Sequence, residues 1–143
     1  MILVAQGRLA EAIDYFRELA VAMPTDASAR FNLGTLLSQT GQGNAAIAEF
    51  QAAIRLNPSH PEAHNNLGIA FAIAGRYNEA LVQFGEALRL KANNPQAHFN
   101  LAHTLIRLGR REEAANHLRE ALRLRPGYEE ARQSLIQLGF VPE

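Results

Sequence analysis

Asn32, Asn66 and Asn100 stand 34 residues apart, in the settings Arg-Phe-Asn-Leu-Gly, His-Asn-Asn-Leu-Gly and His-Phe-Asn-Leu-Ala. Each carboxamide offers one acceptor and two donors, which matches a peptide group without reading its side chain. Three such amides at one spacing are the best clue in the sequence to how a partner is held. Asparagine is also a poor helix former, costing roughly a few tenths of a kcal/mol relative to alanine. Its return at positions where a helix is expected favours a use for the side chain.

The other polar groups suggest less. His60 and His64 are four residues apart, but Pro61 intervenes; His98 and His103 are five apart and point differently. His64 and His98 share one place in the 34-residue period, so duplication accounts for both, and no metal or cofactor is expected. Arg107, Arg110 and Arg111 are offset by Glu112 and Glu113, and Lys+Arg and Asp+Glu both number 14. Phosphate neutralisation needs an excess of cations, so neither nucleic acid nor an anionic membrane is an expected partner. No serine sits in a nucleophile elbow and no glycine-rich phosphate loop occurs, so no catalytic residues and no enzyme activity are expected. The chain has no cysteine, which excludes disulfides and thiolate chemistry. No apolar run approaches the roughly 20 residues of a membrane span, so a soluble chain without direct membrane insertion is expected.

The elements that must position these residues follow the same period. Gly7, Gly41, Gly75 and Gly109 keep the 34-residue step, as do Ala12, Ala46, Ala80 and Ala114, and Phe16, Phe50 and Phe84 with Leu118 in the fourth place. Three complete units are expected at 27–60, 61–94 and 95–128, after a partial unit at 1–26 and before a capping helix and tail at 129–143. Each unit reads as two helices. Phe31, Leu33, Leu36 and Leu37 have helical spacing between Ala27 and Thr40, and Gly41 supplies a stop. Ile47, Phe50, Ala53, Ile54 and Leu56 form the stripe of a second helix, ended by Asn57-Pro58. Pro61 and Pro95 suit the first helical turn, where a missing N–H costs little. Gly34, Gly68 and Ala102 should let the helices of a pair approach closely. One pair cannot bury its own apolar face, so stacked neighbours must supply the core, giving an all-α solenoid.

The frame of Leu-Gly, then Gly, Ala, Phe, Ala and Pro in 34 residues resembles the tetratricopeptide repeat over essentially the whole chain. Arg30, His64 and His98 depart from that pattern where an aromatic is usual, and Ala92 stands for proline. The resemblance implies antiparallel helix pairs wound into a right-handed superhelix, with first helices lining a concave groove. It also implies a non-catalytic module that binds an extended or helical protein segment there. Carried onto this sequence, the groove includes Phe31, Asn32, Thr35, Gln39, Asn65, Asn66, Ile69, Ile73, Phe99, Asn100, His103 and Arg107. The family's clamp for two carboxylates is not matched, because its positions hold Phe31, Thr35, Asn66, Gln96 and Asn100, without cations. Asn32, Asn66 and Asn100 instead resemble the asparagine ladder in the repeat region of O-linked N-acetylglucosamine transferase, which bonds a peptide backbone. Ser134 breaks that ladder in the last helix.

An alternative reading is a self-associating scaffold. The amino-terminal helix lacks a full partner within residues 1–26, which is expected to leave Leu3, Ile13 and Phe16 partly uncovered as an edge for a second copy.

Overall fold

The computed structural model describes residues 8–141. Among them are eight helices and no strand: α1 (Leu9–Ala22), α2 (Ala27–Gln39), α3 (Gly43–Leu56), α4 (Pro61–Ile73), α5 (Tyr77–Leu90), α6 (Pro95–Arg107), α7 (Arg111–Leu124) and α8 (Glu129–Gln137). The chain is an all-α solenoid. Helices α2 and α3, α4 and α5, and α6 and α7 form close pairs, and each pair packs onto the next through α3 on α4, α5 on α6 and α7 on α8.

Local chemistry sets the helix ends. At the start of α2, Asp26 Oδ1 accepts the N–H groups of Ser28 and Ala29 at 2.8 and 3.3 Å. Asn94 Oδ1 does the same for Ala97 ahead of α6 at 3.1 Å, and His60 Nδ1 for Ala63 ahead of α4 at 3.4 Å. Such caps satisfy donors that the helix itself leaves free, at about 1 kcal/mol each. Pro61 and Pro95 open α4 and α6. Gly41, Gly75 and Gly109 end α2, α4 and α6 at φ of 76, 74 and 75°. The N–H groups of Gln42, Arg76 and Arg110 then reach back to the carbonyls of Leu37, Phe71 and Leu105 at 2.8–2.9 Å. Closure of this kind needs the left-handed backbone that glycine adopts at little cost.

Within each pair the small residue and the large one are matched. A Cβ added to Gly34 would lie 2.8 Å from the Phe50 ring, and one added to Gly68 would lie 2.7 Å from the Phe84 ring. One period later the same two positions hold Ala102 and Leu118, both fully buried. A methyl is gained on one helix where an aromatic ring is lost on the other. Gly85 is different, because nothing lies within 4 Å of its missing Cβ. Gly85→Ala is expected to stabilise the protein by up to about 1 kcal/mol, since only the helical cost of glycine is removed. Urea unfolding would show this as a raised midpoint at unchanged slope; a lowered midpoint would refute it.

A polar pair also spans each helix pair, always between residues 19 apart. Arg30 Nη1 donates to Glu49 Oε2 at 3.0 Å. His64 lies 2.8 Å from the Gln83 amide through Nδ1 and 2.9 Å from the Pro58 carbonyl oxygen through Nε2. His98 and His117 face each other, Nδ1 to Nδ1, at 2.9 Å. Arg30, His64 and His98 are therefore the departures from the aromatic pattern, and each comes with its own partner on the second helix.

The expected open edge is corrected by the structure. Ile13 and Phe16 are 5 and 7% exposed and belong to the continuous core with Leu33, Leu36 and Leu37. Helix α1 packs against α2, whose Leu33, Leu36 and Leu37 share that core with them. Leu3 lies outside the described residues. The large apolar side chains that α1 and its end leave exposed are Tyr15, Val21 and Met23.

Candidate functional site

Helices α2, α4 and α6 carry the sequence-predicted groove residues, and part of this set meets at hollows between the helices. Two hollows lie there. The larger, of about 410 Å3, runs between α4 and α6 and is walled by Ile69, Ala72, Ile73, Tyr77, Asn100 and Arg107, with His103, Thr104 and Phe84 beneath or beside them. The smaller, of about 120 Å3, lies between α2 and α4 and is lined by Thr35, Ser38, Gln39, Phe50, Asn66 and Ile69. Ile69 belongs to both, so the two are continuous in composition. Thr35, Gln39, Asn66, Ile69, Ile73, Asn100, His103 and Arg107 are thus gathered around these hollows.

The three asparagines are not equivalent. All are half-buried. Asn32 and Asn66 make no side-chain hydrogen bond among the described residues. Asn100 is engaged: Nδ2 donates to Asn65 Oδ1 at 3.3 Å, and Oδ1 accepts from Gln96 at 3.2 Å. This bond crosses from α6 to α4 and ties adjacent pairs together. Asn65 is consumed in the same contact.

Phe31 and Phe99 line neither hollow. Their rings are half-buried and stack on the residue that begins the next first-type helix: Phe31 on His60 at 4.7 Å, and Phe99 on Tyr128 at 4.9 Å. The Tyr128 hydroxyl donates to Gln96 Oε1 at 2.8 Å, and Arg125 lies over its ring. Burial pushes the Tyr128 phenol pKa up. These rings fix the angle between pairs more than they offer contact area. His103 stacks on Phe99 at 4.4 Å and bonds Ser134 Oγ through Nε2 at 3.1 Å, linking α6 to α8.

Tyr77 and Thr104 were missed in the sequence reading. Thr104 gave no signal, being a helical threonine whose hydroxyl bonds the Asn100 carbonyl. Tyr77 had one: its place in the period holds Gly43 before it and Arg111 after it. Arg107, at the end of α6, rests its guanidinium over the Tyr77 ring at 5.5 Å.

Among the described residues, no group of three or more His, Cys, Asp or Glu could hold a metal ion. No described helix is long and apolar enough to cross a membrane. Among the described residues, the two hollows offer amides, apolar side chains and one cation, Arg107.

Known proteins share this architecture. MamA from Desulfovibrio magneticus RS-1 superposes with a TM-score of 0.91 at 20% identity, over 96% of this chain and 77% of that one. YrrB, described as a TPR protein with an unusual peptide-binding site, superposes with a TM-score of 0.86 at 27% identity, over 93% and 69%. The first TPR of Spaghetti (RPAP3), bound to the HSP90 peptide SRMEEVD, gives 0.78 at 20% identity, over 79% and 90%. No curated protein is similar enough in sequence to count as a relative. Sequence models described as tetratricopeptide repeat match residues 1–42, 31–98 and 71–138. The helix pairs, their glycine closures and these matches run through the same residues, and the chain belongs to the tetratricopeptide repeat family.

Proposed function

We propose that the protein is a non-catalytic interaction module that binds a segment of another protein across α2, α4 and α6. The observation that carries this reading is the state of Asn32 and Asn66. Two half-buried amides, one period apart, make no side-chain hydrogen bond among the described residues, and Asn66 lines an apolar hollow. A backbone peptide group laid across them supplies the missing donors and acceptors, while a side chain entering a hollow adds apolar burial. YrrB supports the reading as a similar protein whose description names a peptide-binding site.

Asn100 has a different part in this scheme. Its bond to Asn65 holds the spacing of α4 and α6, so its removal alters the frame as well as the contact. The clean test uses Asn32→Ala with Asn66→Ala and leaves Asn100 alone. Each lost amide contact is worth about 0.5–1.5 kcal/mol, so the double variant is expected to bind selected peptides about 5- to 150-fold more weakly. Fluorescence anisotropy with peptides taken from a random library measures this directly. Equal affinity in a variant with native circular dichroism would remove the groove amides from the mechanism.

A further inference from the structure

The larger hollow is built from residues that break the period. Where α4 and the start of α5 carry Ile69, Ile73 and Tyr77, the preceding pair carries Thr35, Gln39 and Gly43, and the following one His103, Arg107 and Arg111. Duplication explains residues that repeat; it does not explain three apolar replacements that meet around one cavity. Ile73 is 77% exposed, which is costly for a side chain of its size unless something covers it. A volume of about 410 Å3 is in the range of ligand sites and suits one branched or aromatic side chain with part of its backbone.

The charge around the cavity is one-sided. No carboxylate lines it. Arg107 makes no ion pair or hydrogen bond among the described residues, whereas Arg76 and Arg110 near it hold Glu79 and Glu113 at 2.5–2.6 Å. The contact with the Tyr77 ring holds the Arg107 guanidinium at the rim with its N–H groups unspent. A helix C-terminus favours a cation, and that accounts for Arg107 carrying a positive charge. It does not account for the tyrosine that fixes the guanidinium beside an apolar hollow.

Resting on the groove reading above, we propose that the bound segment is internal to its protein and places a branched or aromatic apolar side chain between Ile69, Ile73 and Tyr77. An aspartate or glutamate about two residues away pairs with Arg107. The planar guanidinium donates two parallel hydrogen bonds to a carboxylate, which lysine cannot reproduce.

The test selects a random dodecamer phage library on the full chain and, in parallel, on Arg107→Glu, which changes an exposed residue. On the native protein, enriched sequences are expected to join Leu, Ile, Phe or Tyr to a nearby Asp or Glu. On Arg107→Glu the acid should give way to Lys or Arg. A synthetic peptide with the enriched motif should lose about three- to tenfold in affinity on Glu→Gln replacement, with most of that difference gone in Arg107→Gln. The same charge pattern on both proteins, no charge preference on the native one, or enrichment confined to free carboxyl ends overturns the proposal while leaving the groove reading standing. A selection that enriches nothing on either protein overturns both.

Discussion

Gly68→Ala is expected to destabilise the protein, although alanine is the better helix former by about 1 kcal/mol. The added methyl would stand 2.7 Å from the Phe84 ring, which is only 1% exposed. Overpacking of this kind costs about 1–3 kcal/mol and outweighs the gain in propensity. Gly85, on the neighbouring helix, gives the opposite sign because its Cβ position is empty. The decisive experiment adds Phe84→Leu to Gly68→Ala, which reproduces the Ala102 and Leu118 combination already present one period later. Either change alone should lower the urea midpoint. Together they should lower it by less than their sum, with a coupling of about 1 kcal/mol. Strict additivity would show that the ring and the glycine do not constrain each other.

Acid should weaken the fold through His98 and His117. Burial lowers the pKa of both imidazoles, and for His117 the neighbouring His98 lowers it further; Glu120 opposes the shift in both. The 2.9 Å contact needs one ring to donate its Nδ1–H and the other to accept, so both rings cannot be protonated while it is kept. In the unfolded chain each histidine titrates near pH 6.5. Between that value and the lower folded values, the unfolded state binds more protons, so stability falls as pH falls. It is fully present above about pH 7 and stops declining once the folded pKa values are passed. Thermal unfolding from about pH 7.5 to about pH 5, above the carboxylate range, should show a falling midpoint. His117→Gln recreates the His64 and Gln83 pair of the preceding unit and should flatten the dependence, leaving the share of His103, whose pKa burial also lowers. An unchanged slope in that variant would place the effect elsewhere.

Much of this fold was legible because each punctuation mark has a local cause. Gly41, Gly75 and Gly109 end helices through a backbone angle, and Pro61 and Pro95 begin them, whatever surrounds the chain. Gly34 and Gly68 could be read as close approaches from their recurrence alone. Contacts across the hairpin were harder to see. A 19-residue separation between Arg30 and Glu49 has no signature in helical periodicity, and His98 meeting His117 depends on how two helices face each other. The covering of Ile13 and Phe16 was misjudged for the same reason, since it depends on which neighbour a face turns toward. At the site, Asn32 and Asn66 could be placed by period. The hollow bounded by Ile73, Tyr77 and Arg107 could not, because it is made of the places where the period fails.

The three hairpin pairs, Arg with Glu, His with Gln and His with His, have a consequence during folding. Helices that are near copies of one another invite wrong partnerships within a single chain. Were α2 to fold onto α5 or α7, Arg30 would meet Gln83 or His117 in a half-buried setting, and the Glu49 carboxylate would be left without its cation. Leaving a partly buried charge unmatched is unfavourable, whereas exchanging one apolar stripe for another costs little. The apolar code is shared by the first two hairpins and differs in the third mainly at Ala102 and Leu118, so it says little more than that a first helix should meet a second. The polar pair is private to each and says which one.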